Sequence, residues 1–188
     1  MEYNNYTLKK IISEDRIQKR VKELASELSK KFTNETPIFI GVLNGSFMFM
    51  ADLLRFLKID CELDFIKLSS YKGEGSTGTV RLLKDISADI TDRHVVIIED
   101  IIDSGLTIEF LKERLHGASP GSITITTLLF KPDVAKLSFP IDLIGFEIPP
   151  HFVVGYGLDY NQKLRHLPAI YRLAVSYTHL TLPTIYSV

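Results

Sequence analysis

The sequence holds little that would suit an exported, membrane-spanning or nucleic-acid-coating protein. Its 188 residues include one cysteine, Cys61, and no tryptophan. A lone thiol excludes an internal disulfide framework and fits a reducing cytoplasm, and no Cys/His spacing suggests structural zinc. No uninterrupted apolar run approaches the ~18 residues of a bilayer span, and the opening MEYNNYTLKK lacks the apolar centre of a signal peptide. Lys and Arg number 22 against 23 Asp and Glu, a formal net charge of −1. Bulk attraction to nucleic acid or an anionic membrane is therefore not expected. The remainder is 45% hydrophobic and 24% charged, the balance of an ordinary globular chain long enough for one substantial core.

Periodicity organises that chain. Ile17, Val21, Leu24, Ala25 and Leu28 recur at three- and four-residue spacing, which predicts an amphipathic helix with Ser13 as its N-cap. Glu14 and Asp15 then sit in the first turn, where the helix dipole favours negative charge. PIFIGVL (37–43) reads as a buried strand, and a second helix follows NGS and runs through Phe56. Strands are expected at 61–69, 80–83, 95–98 and 123–130, with a helix at 106–115. DLIGFEI, FVVGYGL and residues 169–175 are expected as short strands near the end. KGEGSTG (72–78) has three glycines and no apolar anchor, the composition of a loop. Strands alternating with helices imply an α/β domain, a mostly parallel central sheet flanked by helices on both faces. One domain is expected over 1–175. The tail, SYTHLTLPTIYSV (176–188), has no helical period and carries Pro183; it reads as an edge extension or as foreign sequence, and no function is assigned to it.

The segment VVIIEDIIDSGLT (95–107) carries the chemistry. A β-branched strand ends in Glu99, Asp100 and Asp103, then turns through Ser104, Gly105 and Leu106 to Thr107. In an open parallel sheet ligands bind beyond the carboxyl ends of the strands. The turn into a helix offers outward N–H groups, two hydroxyls and a glycine permitting close approach, which suits a phosphate. Glu99 and Asp100 would repel that phosphate unless the ligand also brought hydroxyls or a hard cation. An acidic strand end followed by an ordinary turn is the bland alternative.

That segment resembles the phosphoribosyl pyrophosphate (PRPP) motif of the type I phosphoribosyltransferases. Four other segments are similar to one branch, the hypoxanthine/guanine phosphoribosyltransferases: GVLNGSFMFMADLL (41–54), SSYKGEGSTGTV (69–80), LLFKP (128–132) and GFEIPPHFVVGYGLDYNQKLRHLP (145–168). The likeness spans roughly residues 5 to 174. It implies that family's fold, with a small hood formed by N- and C-terminal segments. It implies a purine-salvage reaction too: PRPP plus hypoxanthine or guanine giving IMP or GMP and pyrophosphate.

Carried over position by position, the resemblance makes Glu99 and Asp100 the acids at the ribose hydroxyls, directly or through Mg²⁺. Asp103 becomes the general acid/base beside N7 of the purine, and Ser104, Gly105, Leu106 and Thr107 the 5′-phosphate cradle. Lys131 matches the lysine at the purine's 6-oxo group, Phe152 the stacking aromatic, and Val153 a backbone contact at the base. Asp159 matches a purine-side residue that also ligates a second Mg²⁺, and Arg165 the arginine that meets pyrophosphate. Ser70 and Tyr71 match a lid. Asn44 and Gly45 fall in the pyrophosphate loop, where relatives often have a non-proline cis peptide, here Leu43–Asn44. Many relatives carry Lys or Arg at the Asn44 position, so this chain drops a positive charge there. Relatives are usually dimers or tetramers, which implies a homo-oligomer.

The chemistry of the residue types supports this reading on its own terms. Ribosyl transfer passes through an oxocarbenium-like state, the leaving pyrophosphate needs its charge neutralised, and the purine must lose a proton as it attacks. A lysine donating to a 6-oxo group favours hypoxanthine, guanine or xanthine over adenine, whose 6-amino group is itself a donor. Ordinary alternatives stand beside each role: a strand-end lysine for Lys131, a core aromatic for Phe152, a solvated ion pair for Asp159 and Arg165. The rival from another class is a regulatory protein that senses PRPP or nucleotides while binding RNA or DNA, which would need a basic face.

Overall fold

The computed structural model describes residues 2–3, 6–71 and 79–175. The expected loop at 72–78 and the tail at 176–188 lie outside the described residues.

Six strands form the central sheet. They are β3 (Ile38–Leu43), β4 (Glu62–Tyr71), β5 (Thr79–Lys84), β6 (His94–Ile102), β7 (Ser122–Phe130) and β8 (Leu143–Glu147), in the order β5-β4-β3-β6-β7-β8. Every pair is parallel except β4 with β5, which pairs antiparallel at the edge. The sheet is therefore mostly parallel, as the alternation of strands and helices implies.

Among the described residues, three helices cover it. In α1 (Glu14–Lys31) the buried residues are Ile17, Val21, Leu24, Ala25 and Leu28, the stripe legible in the sequence, and Ser13 Oγ caps the helix by accepting from the N–H of Arg16. Burying a Leu or Ile side chain stabilises by about 1.5–3 kcal/mol, so this stripe is the main reason the helix docks. It packs with Phe49, Met50 and Leu53 of α2 (Phe47–Phe56) on one face of the sheet. Ile108, Leu111 and Leu115 of α3 (Leu106–His116) close the other face against Val95, Ile97 and Ile125.

A second, antiparallel sheet joins the two ends of the chain. It consists of β1 (Glu2–Tyr3), β2 (Tyr6–Ile12), β9 (Val153–Val154) and β10 (Ile170–Val175), in the order β1-β2-β10-β9. This is the hood that the resemblance implies. Among the described residues, no helix is long and apolar enough to cross a membrane.

Topology places the site. The chain leaves β3 for α2 on one face and leaves β6 for α3 on the other, and β3 and β6 are neighbours in the sheet. Adjacent strands whose connections diverge to opposite faces leave a crevice at their carboxyl ends. Residues 44–46 and 103–105 border that crevice. The first of these loops contains a cis peptide bond at Leu43–Asn44.

Candidate active site

A cleft of about 350 Å³ lies at the end of β6, lined by Glu99, Asp100 and Asp103, by the turn from Ser104 to Thr107, and by Val80 from β5. A larger groove of about 730 Å³ lies elsewhere, between the carboxyl-terminal half of α1 and residues 56–60. It contains none of the expected site residues, and it faces the side from which β3 and β4 start. The smaller cleft is where the convergent chemistry lies.

The floor of that cleft is a continuation of the strand. β6 runs past Ile98 through both acids to Ile102, with Glu99 opposite Thr127 and Ile101 opposite Leu129 on β7. Glu99 is only 4% exposed. Burial first, and then the neighbouring charge of Asp100, hold the Glu99 carboxyl well above the ordinary carboxylate range. Burial raises Asp100 too, opposed by the N–H of Ile101 and by the positive charge of Arg165. Two adjacent acids in a dehydrated position favour a ligand that brings cationic charge or hydroxyl donors.

The turn after β6 is shaped for close approach. Gly105 has φ of 92°, a left-handed conformation that side chains rarely adopt, and a Cβ there would meet Leu137 at 2.6 Å. The carbonyl of Ser104 is tied back by the N–H of Lys136 at 3.2 Å. Helix α3 then begins at Leu106, so the first N–H groups of its initial turn face the cleft with the helix dipole behind them.

Lys131 follows directly on β7 and is 6% exposed. Its Nζ donates to Oδ2 of Asp103 at 2.9 Å, which brings together the two residues expected at neighbouring atoms of one base, N7 and the 6-oxo group. The backbone N–H of Lys131 donates to the carbonyl of Ile102, so both residues are fixed to the same strand end.

The β3–α2 loop closes the other side. A Cβ on Gly45 would overlap the Asp100 carboxylate, and a Cβ on Gly157 would overlap the carbonyl oxygen of Gly45. Glycine at both positions lets three backbone segments meet around Asp100. Arg165 comes from the last of them: it donates to the carbonyl of Gly157 at 2.8 Å and to the Gln162 side chain at 2.9 Å, and it pairs with Asp159 at 2.8 Å. Asp159 also accepts the N–H of Gln162 at 2.7 Å.

Phe152 and Val153 do not line this cleft. They belong to the hood, where Val153 pairs with Arg172 and Phe152 is 55% exposed. The Phe152 ring stands edge-on to Tyr160 at 6.1 Å, and Tyr160 in turn bonds Tyr6 hydroxyl to hydroxyl at 3.2 Å and meets it ring to ring at 5.3 Å. Neither tyrosine stood out in the sequence; their only signal was proximity to the expected stacking residue and to Asp159. Ser70 and Tyr71 end β4, with their backbones paired to Val80 and Thr79. The lid proper, 72–78, lies outside the described residues.

Among the described residues, no three acidic, imidazole or thiol groups converge as a ready-made metal cage. The donor set of Glu99 and Asp100 nevertheless fits Mg²⁺, which usually keeps several waters and takes one or two carboxylates together with substrate oxygens. Asp159 stands with Arg165 and does not join those two acids in a cage.

Comparison with known proteins bears on the family and the fold. Residues 9–161 match the model of the phosphoribosyl transferase domain family. The chain is 47% identical over 168 residues to a protein named hypoxanthine phosphoribosyltransferase from Buchnera aphidicola, covering 88% of this chain and 95% of that one. It is 47% identical over 163 residues to the hypoxanthine-guanine phosphoribosyltransferase of Bacillus subtilis, covering 86% and 91%. Among solved structures, a hypoxanthine-guanine phosphoribosyltransferase from Bacillus anthracis superposes with a TM-score of 0.83 at 44% identity, covering 90% of this chain and 100% of that one.

Proposed function

We infer, from the premise that the chain belongs to the phosphoribosyltransferase family, that it is a purine-salvage enzyme: it transfers the 5-phosphoribosyl group of PRPP to hypoxanthine or guanine, giving IMP or GMP and pyrophosphate. The observation that carries the reading is the Asp103–Lys131 pair set beside a phosphate-suited turn. Relatives bearing the names of that activity support it.

Binding starts at the strand end. The N–H groups and hydroxyls of residues 104–107 take the 5′-phosphate, while Glu99 and Asp100 accept from the ribose hydroxyls. Asn44 and Gly45 present backbone N–H groups toward pyrophosphate, and Arg165 adds a positive charge there. Glu99 and Asp100 would hold one Mg²⁺ and Asp159 would help hold a second, and these ions would supply charge neutralisation of the leaving group. Phe152 offers a ring face to the purine, and the backbone of Val153 meets its edge.

The chemical step asks two things of this chain. As the C–N bond forms, the purine sheds a proton, and the Asp103 carboxylate accepts it at N7. Lys131 donates to the 6-oxo group, drawing electron density away from the ring and making that proton easier to lose. The ammonium leaves Asp103 as it turns to the base, so purine binding itself frees the acceptor. The role expected of Ser70 and Tyr71 is to help exclude water, which would otherwise capture the ribosyl cation.

We also place the reaction in the cytoplasm, in keeping with a single, partly buried thiol, and read the enzyme as a homodimer or homotetramer, a reading supported by exposed Phe47, Leu63 and Leu83. The partners are PRPP and the base, with no nucleic acid or membrane. The test is direct: incubate the protein with PRPP, Mg²⁺ and hypoxanthine or guanine and assay IMP, GMP and pyrophosphate. Nucleotide and pyrophosphate in equal amounts support the reading. PRPP binding without either product favours the regulatory alternative.

A further inference from the structure

We propose that Tyr156 and Asp52 are positioning residues for the pyrophosphate side of the site, acting through a partly buried hydrogen bond that lies outside the cleft. The proposal rests on the transferase reading and adds to it two residues that line no part of the cleft.

Tyr156 is 2% exposed and lies in a three-residue turn whose φ angles are all positive: 96° at Gly155, 49° at Tyr156 and 98° at Gly157. Both glycines are pressed against backbone, Gly155 on the carbonyl of Ala169 and Gly157 on that of Gly45. Tyr156 is thus the turn's one anchor with a side chain. Its hydroxyl donates to Oδ2 of Asp52 on α2 at 2.7 Å, and the same oxygen accepts from Nε2 of Gln18 on α1 at 2.6 Å. A phenylalanine would fill the same apolar space, so the hydroxyl is kept for where it holds the turn and not for how much area it buries. Fully bonded polar networks of this kind specify one geometry among several that would pack equally well.

What that geometry bears on lies one residue from Tyr156 on one side and at the start of α2, about one and a half turns before Asp52, on the other. Helix α2, which carries Asp52, begins at Phe47, with Ser46 between it and the loop of Asn44 and Gly45. Gly157, next to Tyr156, holds Arg165 twice: its N–H donates to the Arg165 carbonyl at 2.9 Å, and its own carbonyl accepts from the guanidinium at 2.8 Å. The Tyr156–Asp52 bond therefore sets the spacing between the Asn44–Gly45 loop and Arg165, the two protein groups that face pyrophosphate. Of the groups read as facing the purine, Asp103 and Lys131 follow β6 and β7 and share no element with that bond, while Phe152 and Val153 precede the turn and are tied to the hood through β10.

The experiment compares Tyr156→Phe, Asp52→Ala and Asp52→Asn with the parent chain. Steady-state KM values for PRPP and for hypoxanthine are measured, with the Kd of magnesium pyrophosphate by calorimetry, a readout that needs no turnover. Tyr156→Phe and Asp52→Ala should each raise the KM for PRPP and the pyrophosphate Kd on the order of tenfold, with the hypoxanthine KM within about twofold. Asp52→Asn retains an acceptor and should stay close to the parent. An unchanged pyrophosphate Kd in both disrupting variants overturns the proposal. So does an equal rise in both KM values, which would mark a general loss of folding. Should Tyr156→Phe fail to fold, the contrast between the two Asp52 variants decides. A parent that binds pyrophosphate but forms no nucleotide defeats the transferase reading alone, and the calorimetric comparison still judges the positioning role.

Discussion

Lys131 Nζ donates to Oδ2 of Asp103 at 2.9 Å, so the groups read as the purine's oxygen partner and its proton acceptor hold each other before any purine arrives. The pair is asymmetric: the lysine side chain is 8% exposed and the aspartate 54%. A buried ammonium needs a partner, whereas an open carboxylate can exchange one for water at small cost. On the proposed reading the pair is a resting contact that a 6-oxopurine would replace, giving Lys131 an oxygen and Asp103 a proton to accept.

Replacing Asp103 with Asn keeps an oxygen for Lys131 and removes the base. Turnover at saturating substrate should fall by about 10²-fold or more, while the KM for PRPP changes little. Near-parent turnover would mean that water or another group takes the proton.

Truncating Lys131 to Ala should act on the base and not on the sugar. Loss of a buried, charge-assisted hydrogen bond costs about 1.5–3 kcal/mol, so kcat/KM for hypoxanthine should drop roughly ten- to a hundredfold, with PRPP binding within about twofold. Because the same change leaves adenine without its unfavourable donor, the ratio between the two purines should narrow. A uniform loss across both substrates would contradict the assignment.

On the proposed reading, Asn44 faces pyrophosphate at a position where a cation would assist. Introducing Lys by Asn44→Lys should lower the Kd for PRPP, and the gain should shrink with added salt because the new charge sits near solvent. Titration calorimetry at two ionic strengths checks both points. An unchanged or weaker Kd would show that the backbone of this loop carries the contact.

Asp64 gives a pH-dependent stability outside the site. Burial pushes its carboxyl up, but the N–H groups of Ala88, Phe65 and Ser87 and the Lys84 ammonium outweigh it and hold the pKa below its usual value. A depressed folded-state pKa contributes stability that is present above the unfolded value of about 4 and is lost as pH falls through the folded one. Asp64→Asn should therefore cost about 1–2 kcal/mol at pH 7, and the gap from the parent should close below about pH 4. Urea midpoints across that range measure it; a constant gap would mean that the carboxylate charge is immaterial.

Local patterns were legible in the sequence, and distant pairings were not. The α1 stripe and its Ser13 cap lie within one helix, so spacing alone was enough. Strand β6 was read only as far as Ile98, because the acids break the apolar run; pairing with β7 carries it on to Ile102. Strand β2 went unread: TLKKII is weakly patterned and becomes a strand through pairing with β1 and, over most of its length, with β10, where Ile12 lies opposite Ile170. FVVGYGL was expected as a strand but yields only Val153–Val154, because the left-handed turn from Gly155 to Gly157 ends it. Cys61 lies one residue ahead of β4 and not within it. At the site, 99–107 could be read as one cradle because consecutive residues build it. The Asp103–Lys131 contact, the meeting of Gly45 with Asp100, and the Tyr156–Asp52 bond join residues from separate elements, and only the fold brings them together.

The most direct test of the central claim is kcat/KM for hypoxanthine, guanine, xanthine and adenine, each with saturating PRPP and Mg²⁺. A 6-oxopurine site built on Lys131 predicts nucleotide from hypoxanthine or guanine with kcat/KM at least about 10²-fold above that for adenine. No nucleotide from any of the four, or adenine used as well as hypoxanthine, would contradict it.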